Sequence, residues 1–195
     1  IIHGRRIFVT IKSMDKKTTP HRPYKLEPYN PKWVHEFEKR VGILKFIFGS
    51  ELLGVEHIGS TSIPDMVAKP QIDILAIVKD LAKVKDFYSA MEKAGFKPMG
   101  TEYVGVGDEY FTENATDGTR LSGVHVFEKE HPEIYEILNF RNYLRANNLD
   151  RDLYISTKKS LYEKHAENYA GYNSGKGNVI REIKARANQW ARQQA

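Results

Sequence analysis

No cysteine occurs in the chain, which excludes disulfides and thiolate metal sites and makes a small disulfide-stapled secreted fold untenable. A reducing cytoplasm is the expected compartment. Long hydrophobic runs are also missing: stretches such as Ile72 to Val78 are strand-sized, far short of the ~20 residues a membrane helix needs. No signal-peptide pattern opens the sequence, so no membrane role is expected. There is no internal repeat, no low-complexity tract and no RNA-binding motif. What is present is enough apolar material for one sizeable core, with 41% hydrophobic and 28% charged residues over 195 positions. The formal charge of +5 favours anionic partners such as nucleotides, RNA or phosphorylated metabolites. However, the basic residues from Arg141 to Arg192 are interleaved with acids, as on solvated helix faces, which puts RNA last among these partners.

Residues 1–25 are expected to form a flexible arm, because the polar, basic Ile1 to Pro23 stretch carries Pro20 and Pro23. Met14 is a candidate start, which would make Ile1 to Ser13 an appended or upstream extension. Residues 26–195 are expected to form one domain. Asn30 and Pro31 open a helix with Trp33, Phe37, Val41, Leu44 and Phe48 on one face. Strands are expected at Leu52 to Ile58 and Ile72 to Val78, and a helix capped by Asp80 and closed at Gly95 follows. Tyr103 to Val106, Glu109 to Thr112 and Leu121 to Phe127 read as three short strands. From Pro132 the pattern is helical, with a break over Gly171 to Gly177. This order predicts an α+β domain, a mixed β-sheet flanked by helices with a helical C-terminal region.

The chemistry concentrates in Glu56-His57-Ile58-Gly59-Ser60-Thr61-Ser62-Ile63-Pro64 and Lys69-Pro70-Gln71-Ile72-Asp73-Ile74. A strand that ends in Gly-Ser lets backbone N–H groups and the Ser60 and Thr61 hydroxyls approach phosphate oxygens. Asp73 opens the next strand, where a carboxylate can hold magnesium beside those phosphates. Arg141 and Arg145 are one helical turn apart, and Lys69 and Lys176 border the same motifs, so these four can close over an anion. His57 and His125 are candidates for a general base or a phosphate contact. Glu56, Glu109 and Glu128 are candidates for further metal ligands. A glutamate at a strand edge is more often simply solvated, and a histidine in an apolar strand is more often a satisfied sheet residue.

The two segments above, with Val124-His125-Val126, Phe140-Arg141-Asn142-Tyr143-Leu144-Arg145 and Tyr172-x-x-x-Lys176, occur in the order found in the GrpB family of the nucleotidyltransferase superfamily. The resemblance covers about Leu26 to Ala187. It implies a nucleotidyltransferase-like core in which Gly59, Ser60 and Thr61 seat nucleotide phosphates and strand carboxylates hold Mg, Asp73 foremost and Glu56 beside it. It also raises His57 and His125 as catalytic candidates. Related domains occur fused to dephospho-coenzyme A kinase, which makes a coenzyme A-related acceptor one expectation.

Two departures from the pattern matter. Two-metal transfer needs carboxylates at alternate strand positions, because residues i and i+2 share a face, and here Asp73 is followed at that spacing by Leu75. Asn142 stands where the family commonly has an acid. The expectation is therefore a nucleoside triphosphate bound with Mg and, if activity is kept, nucleotidyl transfer to an acceptor. The alternative is a catalytically inactive module that binds a nucleotide or a coenzyme A-related metabolite.

Overall fold

The computed structural model describes residues 24–100 and 108–194. Its centre is a five-stranded sheet in the order β1-β2-β5-β4-β3, with β1 at Leu52–Ile58, β2 at Ile72–Val78, β3 at Phe96–Pro98, β4 at Glu109–Asn114 and β5 at Arg120–Glu128. The β2 and β5 strands run parallel and the other pairs antiparallel, so the sheet is mixed, as expected. The strand expected at Tyr103 to Val106 lies outside the described residues. The short β3 strand was not expected. Three residues give no alternation to read, and Pro98 is tolerated because β3 lies on the sheet edge.

Period-two alternation along β2 splits its side chains between two layers. Ile72, Ile74, Ala76 and Val78 pack with Trp33, Leu44 and Phe48 of helix α1 (Lys32–Phe48) and with Met91 of helix α2 (Tyr88–Lys93). On the other face, Leu75 joins Ile58, Phe127 and Ile134, with Ile137 and Leu138 against them. The last three belong to helix α3 (Pro132–Ala146). The first layer starts where expected: the Asn30 side chain accepts from Lys32 N at 3.0 Å, and Pro31 opens the helix. The helix expected after Asp80 begins as a 3-10 turn over Leu81–Phe87, with the Asp80 carboxylate accepting from Ala82 N, before it becomes α2.

Helices α4 (Asn148–Lys164), α5 (Tyr169–Gly175) and α6 (Gly177–Gln194) complete the C-terminal region. A core of Ile63, Met66, Tyr143, Leu144, Tyr154, Ile183 and Ala187 ties α4 and α6 to α3 and to the loop after β1. Helix α5 falls where glycines suggested a break. Asn168 caps it by accepting from Gly171 N, and the buried Tyr172 anchors it. Tyr24, read from the sequence as part of the arm, packs against Tyr162, Tyr169 and Tyr172 and donates to His165 O. Such packing needs no regular secondary structure, so the prolines earlier in the sequence do not argue against it.

Candidate functional site

Glycine at position 59 is required twice over. Its φ of +68° and ψ of −173° fall in a region essentially closed to side-chain-bearing residues. A Cβ there would also stand 2.4 Å from Asp73 Oδ2 and 2.9 Å from Asp73 Cβ. The β1–β2 register explains the contact: Ile58 is opposite Asp73, so the chain turns directly over that carboxylate. Gln71 Nε2 donates to Asp73 Oδ1 at 2.5 Å and fixes it from the other side. Helix α3 covers Leu75 further along β2 but leaves Asp73 at the strand's start facing a cleft.

That cleft, of about 160 Å³, is lined by Ser60, Thr61, Gln71 and Asp73 from the sheet end and by Lys69, Lys158, Tyr169, Tyr172, Asn173 and Lys176 opposite. Five of the residues named from sequence, Ser60, Thr61, Lys69, Asp73 and Lys176, therefore share one cleft, and Gly59 abuts Asp73. Lys158 is the addition. It is 2% exposed and its ammonium donates to Ser60 Oγ at 2.7 Å and Val67 O at 2.5 Å. Lys69 donates to the Tyr169 hydroxyl at 2.8 Å. Lys176 lies 4.9 Å from the centre of the Tyr172 ring. A second cavity of about 230 Å³ adjoins the first through the shared Lys69, Gln71 and Tyr169, with Tyr24, Thr119 and Arg120 on its outer wall.

The sequence could have shown Lys158. It stands one helical turn from the buried Tyr154, on a stripe where a solvated lysine would not be placed. Tyr172 was visible in the Tyr172-x-x-x-Lys176 motif, although aromatics of this region were expected simply to fill the core.

Other candidates go elsewhere. Arg141 donates to Glu56 Oε2 at 2.7 Å and to His57 O at 2.9 Å. Arg145 donates twice to Ser62 O, at 3.1 and 2.7 Å. Both guanidinium groups thus brace the backbone around the Gly-Ser turn and leave the cleft lining to lysines. Glu56 is committed to the Arg141 pair and does not line the cleft. His57 points to the α1 layer, stacked on Phe37 at 4.8 Å. Burial, with Arg145 and Arg141 adding to it, pushes its pKa down to about 4, so it is neutral near pH 7 and poorly suited as a base. The Thr61 hydroxyl donates to Gln71 O at 3.1 Å and meets His57 Nε2 at 3.0 Å, which places it in structural use.

His125 is opposite Leu75, held by Asp108 at 3.1 Å and packed against Tyr110, outside the cleft lining. Glu109 accepts from the Tyr88 hydroxyl of α2, and Glu128 accepts from Leu81 N. Neither reaches Asp73. On the C-terminal helices, Arg186 pairs with Asp150 and Lys184 with Glu133 and Glu136, which breaks up the basic surface that RNA would need.

The donor set does not fit a two-metal centre. Among the described residues no group of three His, Cys, Asp or Glu side chains is placed to hold a metal ion. In the cleft Asp73 is the single carboxylate, facing three lysines. The alternate strand position, Leu75, is fully buried.

Lys176 carries the cost of this arrangement. Burial first, then repulsion from Lys69, outweighs attraction to Asp73 and lowers its pKa from 10.5 to about 8. The unfolded chain therefore binds more protons than the folded one between about pH 8 and pH 10.5, and stability rises with pH across that window. An ε-methylene NMR titration should place Lys176 near pH 8. The Lys176→Met variant should be more stable at pH 7 by about 2 kcal/mol, with a flatter pH profile in that range.

Residues 23–186 match the GrpB protein family. The chain belongs to the GrpB family. One relative of this GrpB chain is UPF0157 protein YqkA of Bacillus subtilis, 36% identical over 171 residues, which are 88% of this chain and 49% of that protein. Dephospho-CoA kinase of Mycolicibacterium paratuberculosis is 26% identical, covering 97% of this chain and 52% of that enzyme. The chain thus spans about half the length of each of these two relatives. The crystal structure of conserved protein GrpB from Enterococcus faecalis is 34% identical, covers 86% of this chain and 99% of that one, and superposes with a TM-score of 0.81. Cid1 poly(U) polymerase with Mg 3′-dATP bound has a TM-score of 0.50 at 10% identity, covering 77% of this chain and 49% of that one. The fold is therefore nucleotidyltransferase-like, and at that identity the likeness speaks for fold alone. No helix of the described residues is long and apolar enough to cross a membrane.

Proposed function

We propose that this GrpB chain binds a nucleotide by its phosphate tail and retains it without two-metal nucleotidyl transfer. The observation that carries the reading is the convergence of Ser60, Lys69, Lys158 and Lys176 on one cleft beside Asp73, with a second cavity sharing its Lys69, Gln71 and Tyr169 wall to take the rest of the ligand. Charged hydrogen bonds from ammonium groups suit phosphate oxygens, and the Gly59 turn brings backbone close to them. A domain related to this chain occurs in a dephospho-CoA kinase, so coenzyme A and dephospho-coenzyme A belong with the nucleoside triphosphates among ligands to test.

Transfer is the second reading, because Asp73 keeps the first carboxylate position of such enzymes and is rigidly held there. With Leu75 in the core, the metal pair that would clamp the attacking and leaving oxygens lacks a ligand. Incubation with α-phosphate-labelled nucleoside triphosphates, Mg²⁺ and a panel of hydroxyl acceptors separates the two. The expected result is retained ligand with no pyrophosphate released. Pyrophosphate release that disappears in Asp73→Asn would replace this reading with transfer.

A further inference from the structure

The cleft is electrostatically inverted relative to a metal site. Three ammonium groups face one carboxylate: Lys158 is disfavoured by burial and by Lys176 and Lys69, with Asp73 offsetting only in part, and Lys176 is disfavoured by burial and by Lys69. Adding a divalent cation would deepen that repulsion, whereas adding an anion would relieve it. Lys158 also has a donor to spare, since an ammonium has three N–H groups and two are used on Ser60 and Val67.

A second, independent feature points the same way. Tyr172 is fully buried and lines the cleft, yet its hydroxyl has no hydrogen-bond partner among the described residues. A buried hydroxyl left unpaired is costly, and none of its described neighbours accepts a hydrogen bond from it. A ligand oxygen in the cleft would.

We propose that Lys69, Lys158 and Lys176, with the Tyr172 hydroxyl, bind the phosphate tail directly, so that the lysines take the place a divalent cation would otherwise hold. The inference rests on the nucleotide-binding reading and specifies how the tail is neutralised. Asp73 then serves as a counter-charge to the lysines in the empty cleft, and the phosphate displaces its influence on binding.

Calorimetry with inorganic triphosphate and with the four common nucleoside triphosphates, each in EDTA and then in excess Mg²⁺, tests it. Binding in EDTA is expected, weakened about threefold or more by Mg²⁺, which cancels charge on the tail before it meets the lysines. Nucleotide binding that requires Mg²⁺ would overturn the inference and leave the nucleotide reading standing. Triphosphate binding without any nucleotide binding would do the reverse, and no binding under either condition sinks both.

Two variants assign the residues. Lys158→Met should weaken triphosphate binding by about tenfold to a hundredfold. Tyr172→Phe should weaken it by about threefold to tenfold while leaving the free protein as stable as before or more so, because it deletes an unpaired buried hydroxyl. Wild-type affinity in folded Tyr172→Phe together with wild-type affinity in Lys158→Met would overturn the assignment. If Lys158→Met fails to fold, the Tyr172→Phe result decides alone.

Discussion

Leu75→Asp, the substitution that would restore the alternate carboxylate, is expected to cost about 4 kcal/mol or more in chemical denaturation and to yield no metal-dependent activity. Leu75 is fully buried against Ile58, Phe127 and Ile134 under α3. An aspartate there loses a packed aliphatic side chain and places a carboxylate among apolar ones. The cation over that face, Arg141, is already shared between Glu56 and His57 O, and His125 opposite is engaged with Asp108. Diverting either one strips a partner from another buried or half-buried group. Leu75→Asn separates the terms: it removes the charge and keeps the shape, so it should recover part of the loss. A stable Leu75→Asp protein that releases pyrophosphate with Mg²⁺ would show that the position is a vacated catalytic one over which the core closes only loosely.

How much of this was legible in the sequence depends on whether the signal was local. The alternation of β2 and the glycine before Ser60 are written in the single stretch from Gly59 to Val78, and they were enough to bring Gly59, Ser60 and Asp73 to one cleft end. Alternation also carried information that was left unread. Glu56 and His57 are consecutive in a strand, so they face opposite layers and could never serve one site together. Arg141 and Arg145 share a helix face as their spacing required, but spacing does not tell a guanidinium that binds phosphate from one that binds a backbone carbonyl. That choice is set by how α3 lies against the loop after β1, a tertiary contact. Lys158 is marked locally by its place one turn from Tyr154, but that it and the α5 tyrosines form the far side of the cleft is set by how the C-terminal helices pack.

Gly59→Ala is expected to be the most damaging small substitution in the cleft, lowering stability by about 3 kcal/mol and abolishing ligand binding. Two costs add. The backbone at φ +68°, ψ −173° is disfavoured for any residue with a Cβ by about 1–3 kcal/mol, and the new methyl would stand 2.4 Å from Asp73 Oδ2 and 2.9 Å from its Cβ, so strand or turn must move. Movement of the turn drags Ser60 away from Lys158, to which it is bonded at 2.7 Å, and frees Ser62 O from the Arg145 brace. A double-mutant cycle with Asp73→Ala apportions the terms. Removing the carboxylate eliminates the 2.4 Å contact and leaves the dihedral strain and the 2.9 Å approach to the β-carbon of residue 73, so Gly59→Ala should cost less in the Asp73→Ala background than in the native one. Equal costs in both backgrounds would mean that the turn and Asp73 are mechanically independent, and the cleft would then have to be held open by the helices alone.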